Sequence, residues 1–489
     1  MNEKSCVLSI DIGTSSVRAA IFDTCGRQIG PCAQHGYPLA TGHDGSATIQ
    51  PDELLKELCR VIDEALAAKE GKLAIDAVGL STFWHSLVGL DERTAPTTPV
   101  WTWADRRAAN RARSLRARLG SGLHESTGCP IHSSFWLSRL PWLRDSDKNT
   151  YASTATWCSA IDFLMHRLFG ELKTSVSMAS GTGLFDLDQP RWNAEALSVA
   201  EIGEGSLPEV SDSPYRGLRS EYAGRWPQLA GIPWFPAAGD GACSNIGSGC
   251  HTRDSLVLML GTSGSMRMLW DAGRPRLPDP ALWCFRLDAK RFAGGMALSE
   301  GGASAAWARR LVAEEARRDV DEEIAAMPPD AHGLTVLPFF LGARSPDWID
   351  GRTACIAGIT AATTPLEIYR ATLESIGLRF AVLKKRLDRA WPDEKRIVAT
   401  GAGLVRSPVW SQIVADCLGR EIELSGVEEG SLRGAALLAW ERLGAAPLGR
   451  FGYPIDRVVS PDAEAHSRYA EAMERQEAFD RLLHLQQAG

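Results

Sequence analysis

Asp11-Ile12-Gly13-Thr14-Ser15-Ser16 and Leu260-Gly261-Thr262-Ser263-Gly264-Ser265 are near copies, set about half a chain apart in 489 residues. Each follows an apolar, strand-like run: Cys6-Val7-Leu8-Ser9-Ile10 in the first, Leu256-Val257-Leu258-Met259-Leu260 in the second. A strand that breaks at glycine into hydroxyl-bearing residues suits phosphate. Glycine permits a sharp turn and close backbone approach, freed N–H groups point outward, and Thr and Ser add donors. One copy alone is an ordinary hairpin turn. Two in corresponding places predict two related halves gripping one polyphosphate between them. Only the first carries a carboxylate, Asp11, so a metal or attacking water belongs nearer that half.

Strand and helix signals alternate outward from these turns, which places the chain in the α/β class. The first half predicts a hairpin over 6–11 and 16–22, and a third strand after the turn Asp23-Thr24-Cys25-Gly26. A helix over 52–68 opens after Pro51, with an apolar stripe from Leu54 to Leu66. Ile75–Leu80 reads as a buried strand, followed by a second hairpin ending at Val100-Trp101-Thr102-Trp103. A helix over 160–169 precedes Pro-rich, turn-rich sequence over about 188–238. The second half predicts helices near 303–318, 365–390, 407–418 and 430–443, and strands at 396–400 and 421–424. The tail after 461 reads as a polar amphipathic helix. Gly247-Ser248-Gly249 marks the expected boundary between residues 1–250 and 251–489.

The chain is 44% hydrophobic with a net charge of −7, enough for substantial cores and mildly acidic overall. The Arg-rich stretch Arg106–Arg118 reads as the solvated face of a helix, so nucleic acid is not an expected partner. An anionic substrate must be attracted by a local site. The eleven cysteines are scattered without C-x-x-C spacing, which predicts neither a zinc site nor a disulfide framework. A strand begins within a few residues of Met1 and no apolar run is long enough to span a membrane, so a cytoplasmic protein is expected.

Asp240 is the first chemical candidate. It follows the apolar run Ile232-Pro233-Trp234-Phe235-Pro236 and lies between Gly239 and Gly241, which would leave its carboxylate accessible. A base that takes the proton of a sugar hydroxyl as the oxygen attacks phosphorus needs such a carboxylate in a partly desolvated cleft. An isolated Asp-Gly is commonly a turn; position decides here, because a cleft between two halves would open at this point. Gly401-Ala402-Gly403 before a helix suits a nucleotide, although Arg406 fills the third glycine's place in a Rossmann fingerprint. No Gly-x-x-x-x-Gly-Lys-Ser/Thr string occurs, which excludes a P-loop enzyme. Trp84, His85, Trp101, Trp103, Asp105 and Arg107 cluster around two strand ends, and polyols are held by aromatic faces plus polar forks. Trp307 and Trp410, inside helices, are expected in the core.

Taken together, these segments resemble the FGGY family of carbohydrate kinases nearly end to end. Within it the strings Trp101-Thr102-Trp103-Ala104-Asp105, Thr127-Gly128-Cys129-Pro130-Ile131-His132, Gly239-Asp240-Gly241-Ala242, Gly261-Thr262-Ser263-Gly264 and Arg406-Ser407-Pro408-Val409-Trp410 look most like those of gluconate kinases. The resemblance implies two actin/hexokinase/Hsp70-like domains, each a ribonuclease-H-like mixed sheet with helices, around an interdomain cleft. It also implies ATP, Mg²⁺ and phosphorylation of a terminal hydroxyl on a small sugar or sugar acid, gluconate first. By that resemblance Asp240 is the catalytic base and Asp11 acts on the metal or its waters. Thr14, Ser15, Gly261 and Thr262 hold phosphates, and Gly302, Gly401, Gly403 and Ser407 line the nucleotide. His85, Trp84, Trp103, Asp105 and Arg107 fall to the sugar.

Several positions depart from the gluconate-kinase pattern. Trp84 stands where methionine is usual, Arg106 where asparagine is usual, and Ala402 where a third glycine is usual; Phe285-Arg286 and Ala343-Arg344-Ser345-Pro346 are close to, but not identical with, the family's patterns. These departures bear on the sugar and leave the reaction alone. They keep open a kinase for a neutral polyol or ketose such as glycerol, xylulose or ribulose. A nucleotide-switched, non-catalytic protein on the same fold is the rival of another class. A sugar carboxylate would need a cation, for which Arg106, Arg107 and His132 are the candidates. The expected partner is a small sugar or sugar acid, with no membrane and with a homodimer left open.

Overall fold

The first glycine turn joins antiparallel strands Ser5–Ile12 and Ser16–Asp23, which put Asp11 opposite Arg18. In the computed structural model, which describes residues 5–69, 73–271, 273–312, 320–393 and 395–487, this hairpin lies inside a five-stranded sheet. The order is Ala238–Gly239, Ala74–Thr82, Ser5–Ile12, Ser16–Asp23, Gln28–Gly36. The second turn repeats the plan. Ser255–Leu260 runs antiparallel to Gly264–Trp270 and parallel to Arg396–Thr400, as Ser5–Ile12 runs antiparallel to its hairpin partner and parallel to Ala74–Thr82. That second sheet has seven strands, ending at Trp283–Arg286 on one side and Ile455–Val459 on the other. Two mixed sheets built on one local plan are what the duplicated turn implies.

The helices follow from capping and apolar spacing. Pro51 opens Pro51–Ala67, where its missing N–H costs nothing, and Leu54, Leu58, Val61, Ile62 and Ala65 are buried. Thr364 and Glu367 form a capping box at the start of Pro365–Ala390. The C-terminal helix Ala463–Gln487 is tied to that long helix: Glu374 accepts from Arg370 Nε at 2.5 Å, Tyr469 OH at 2.9 Å and His332 Nε2 at 2.9 Å. No helix among the described residues is long and apolar enough to cross a membrane.

The helix Gly430–Arg442 comes late in the chain, yet Leu432, Ala435, Ala436, Leu438 and Ala439 are buried with the first sheet's Val7, Leu8 and Val78. It lies backbone-to-backbone on the helix Asp240–Gly247. A Cβ on Gly434 would overlap the Cys243 carbonyl, and one on Gly247 would overlap the Gly430 carbonyl. Gly79 makes the same close approach to the Ala435 carbonyl from the sheet.

Local differences from the sequence reading have tertiary causes. The second hairpin forms, through the bridges Leu87–Trp101 and Leu90–Pro96 and the Thr97 N–H donating to the Gly89 carbonyl at 2.8 Å. Its arms Val88–Leu90 and Val100–Trp101 also pair outward, with Thr156–Cys158 and Ala47–Ile49 respectively. The helix expected over 303–318 is Gly302–Arg309, and residues 313–318 lie outside the described part. The turn-rich 188–238 segment contains the short helices Ala194–Ala200 and Ser220–Arg225. Its apolar run 232–236 meets the sheet only through hydrogen bonds at Val78; the paired strand is Ala238–Gly239. Trp410 is buried as expected, whereas Trp307 is half-exposed against Phe340.

Gly434→Ala should lower stability by about 2 kcal/mol, because overpacking a tight interface displaces both backbones. Urea denaturation measures this, and an unchanged midpoint would contradict the backbone contact.

Candidate active site

Both glycine turns reach one cavity. Thr14 from the first and Thr262, Ser263, Gly264 and Ser265 from the second line a space of about 250 Å³, together with Asp240, His85, Trp84 and Trp103. A larger groove, about 830 Å³, is lined by Phe22, residues 24–28, 426–429 and 450–454 and Arg433 and holds none of the sequence-predicted site residues. The site is the smaller space, where the chemistry-bearing side chains converge.

Asp240 is the first residue of its helix, directly after Gly239, and Oδ1 accepts from the Gly241 N–H at 2.7 Å. Its carboxyl is pushed up to about 6, first by burial and then by the negative charge of Asp11, with Arg267 and the Gly241 bond pulling the other way. A carboxylate poised there is ionised near neutrality yet basic enough to take a proton.

Asp11 is buried. Its Oδ2 accepts from Arg18 Nη2 and from Ser431 Oγ, the latter at 2.9 Å, while Oδ1 has no partner. Arg18 also pairs with Glu429, so two carboxylates share one guanidinium. An orphaned carboxylate oxygen beside a net negative charge fits a divalent cation or one of its waters.

The aromatic wall owes its shape to glycines. A Cβ on Gly239 would overlap the Trp84 indole, and one on Gly181 would come within 2.6 Å of its Cδ1. Trp84 is buried, donates Nε1–H to the Ser177 carbonyl at 3.0 Å, and meets Phe285 edge-on at 5.1 Å. It offers the cavity an apolar face. His85 has φ 68° and its Nδ1 lies 2.5 Å from the Gly181 carbonyl, so Nδ1 carries the proton and Nε2 is left as an acceptor. Burial holds this ring down to about 3, and it stays neutral at working pH. Trp103 donates Nε1–H to Thr14 Oγ1 at 3.3 Å.

Asp105 and Arg107 are not brought to the cavity. Asp105 accepts from the Ala47 N–H at 3.0 Å and from Arg107 Nη2 at 2.7 Å, and Arg107 stacks over Trp101 with 4.1 Å to the ring centroid. Two residues apart, they satisfy one another and brace the wall behind Trp103. Arg106 is exposed, and His132 is paired with Asp350 at 3.1 Å.

The glycines expected at a nucleotide gather at the end of the strand Ser255–Leu260. Gly302 N–H donates to the Gly261 carbonyl at 2.7 Å, and Ala303 N–H to the Thr262 carbonyl at 3.2 Å. Gly401, at φ 92°, and Gly403 both press on the Leu260 carbonyl. Ser407 caps the next helix, its Oγ accepting from the Trp410 N–H at 3.3 Å. Ser15 is exposed on the first turn, where its carbonyl accepts from the Tyr37 N–H.

Sequence reasoning missed Arg267, Arg344, Trp283, Phe285 and Trp348, which also line the cavity. A lone arginine in the otherwise apolar strand Gly264–Trp270 is a readable signal for Arg267. Phe285 and Arg344 stand in strings close to the family's patterns but without a role assigned to them, and nothing comparable marks Trp283 or Trp348.

The family model described as "FGGY family of carbohydrate kinases, N-terminal domain" matches residues 6–247, and the corresponding C-terminal domain matches residues 256–440. A gluconokinase of Bacillus subtilis (strain 168) is 28% identical over 450 residues, covering 89% of this chain and 87% of that protein. Solved structures of a gluconate kinase and a ligand-bound xylulose kinase, both from Lactobacillus acidophilus, each superpose with a TM-score of 0.89. Each is 25% identical and covers 98% of both chains.

In carboxyl-resolved NMR, Asp240 should titrate near pH 6. Asp11→Asn should move that midpoint down and Arg267→Met should move it up, since each substitution removes the neighbour's charge. A midpoint near 4 would contradict the desolvated site.

Proposed function

The chain belongs to the FGGY family of carbohydrate kinases, and on that premise we propose that it transfers the γ-phosphoryl group of ATP to the terminal hydroxyl of a small sugar acid, gluconate first. The observation that carries this reading is the half-buried Asp240 carboxylate, in a cavity that both Gly-Thr-Ser turns line. The likeness to proteins named gluconokinase and gluconate kinase supports the sugar acid.

In this reading Asp240 takes the hydroxyl proton as that oxygen attacks phosphorus, and ADP leaves from the opposite side. His85 Nε2 accepts from a second hydroxyl and fixes the chain's orientation. Trp84 and Trp103 supply apolar faces that hold carbon and keep water from the base. The Thr14 and Thr262 hydroxyls and the N–H groups of their turns hold β- and γ-phosphates. Gly302, Gly401, Gly403 and Ser407 receive the rest of the nucleotide, where a side chain would collide with the strand end. Mg²⁺, when bound, neutralises polyphosphate charge, and the free Oδ1 of Asp11 is the group that fits it or its water.

A second reading is a kinase for a neutral ketose, which the equally close xylulose kinase structure favours. An ADP-release assay across aldonates, ketoses and polyols separates the two, and the best aldonate should exceed the neutral sugars in kcat/KM. Asp240→Asn should lower kcat about a thousandfold with nucleotide affinity nearly unchanged; near-wild-type turnover would overturn the base assignment. Because Asp240 must be ionised to act, kcat/KM should be flat above its midpoint of about 6. Below it, the value should fall tenfold per pH unit.

A further inference from the structure

The cations that the sequence offered for a substrate carboxylate are all engaged or remote. Arg106 is exposed, Arg107 is spent on Asp105 and Trp101, and His132 on Asp350. Among the described residues, the arginines that line the cavity are Arg267 and Arg344.

Arg267 stands in the buried strand Gly264–Trp270, with Nε donating to Asn245 Oδ1 at 3.3 Å. A Cβ on Gly241 would lie 2.8 Å from its Nη1, so the guanidinium overhangs the helix start that carries Asp240. Arg344 comes from the segment between Thr335–Leu337 and Cys355–Ala357 and lies over the Trp103 ring, 4.9 Å from its centroid. Its Nη2 donates to the Leu298 carbonyl, while its Nε has no partner. Burial pushes both arginines down to about 10, and Arg344 also feels the positive charge of Arg267. Like charges set together in a desolvated place call for an anion.

The carboxylates already present, Asp240 and Glu300, favour these charges from a distance, but among the described residues neither arginine has an ion pair. Asp240 faces Arg267 but forms no salt bridge with it among the described residues. Glu300 is buried with both oxygens unpartnered; its charge acts on Arg344 without a hydrogen bond, and Arg379 acts on it more strongly than Arg344 does. Two guanidiniums, Arg267 and Arg344, therefore line the cavity against one carboxylate, Asp240, which is itself raised toward neutrality. The surplus is positive, inside the space that would receive the sugar. A planar guanidinium with open donors matches a carboxylate in a way that a neutral hydroxyl does not exploit.

We propose that Arg267 and Arg344 together hold the substrate's carboxylate and so determine a preference for aldonates over neutral sugars. This rests on the kinase reading above and adds the group that selects the substrate.

The test is steady-state kinetics at pH 8, where Asp240 is ionised throughout, with gluconate, D-glucitol and D-xylulose as acceptors. Arg267→Met and Arg344→Met should each lower kcat/KM for gluconate at least a hundredfold, mainly through KM. For the neutral acceptors the loss should be far smaller, so that the ratio of gluconate to neutral-sugar kcat/KM falls about thirtyfold or more in each variant. Arg267→Lys and Arg344→Lys keep the charge but lose the fork, and should recover part of the gluconate activity. Thermal melting and ATP affinity report whether each variant is folded. If the methionine variants do not fold, the lysine pair decides: a loss confined to gluconate supports the clamp, and an unchanged preference overturns it. Equal losses on gluconate and neutral acceptors in a folded variant would assign the arginines to the phosphoryl group and overturn the proposal. A wild type that phosphorylates neutral sugars but no aldonate would overturn the clamp and leave the kinase reading standing. No turnover with any sugar would overturn the kinase reading itself.

Discussion

Two helices, Asp240–Gly247 and Gly430–Arg442, touch backbone to backbone, and the rest of the site is referred to that contact. Gly247 and Gly434 are required there because any side chain would meet a carbonyl of the facing helix. The same approach brings the start of Gly430–Arg442 onto Asp11. Ser431 donates to its Oδ2, Glu429 shares Arg18 with it, and Ser9 Oγ donates to the Leu432 carbonyl at 2.6 Å. One packing constraint thus fixes Asp240, Asp11 and the first glycine turn relative to each other. A late segment of the chain completes the first sheet's core.

Charge is then divided along the site. At the Asp11 end two carboxylates share Arg18, leaving a negative surplus that suits a divalent cation. At the Arg267 and Arg344 end the surplus is positive. Asp240 sits between, raised by burial and Asp11 and lowered by Arg267, so its basicity reflects both ends. Low polarity makes each of these influences stronger than it would be in water. It also explains why Trp84, with its N–H bonded away to Ser177, is useful as a dry wall rather than as a polar contact.

The duplicated turns were legible because their signal is local: an apolar run, a glycine and two hydroxyls predict the same hairpin wherever they occur. Asp240 was legible from its position between the halves. Asp105 and Arg107 look like a recognition pair in sequence, yet a spacing of two lets them satisfy each other and face the protein. The place of Arg344 in the site was not legible, because only tertiary packing carries its segment over Trp103. The second hairpin was legible as a local signal, whereas the outward pairing of Val88–Leu90 and Val100–Trp101 with strands far along the chain was not. Local rules read the turns and caps; the division of charge needed the assembled cleft.

The most direct test is a crystal structure of the Asp240→Asn protein with gluconate and a non-hydrolysable MgATP analogue. The account predicts the terminal hydroxyl at residue 240, the carboxylate between Arg267 and Arg344, and the metal or its water at Asp11 Oδ1. Gluconate bound with its carboxylate away from both arginines, or its terminal hydroxyl away from residue 240, would contradict it.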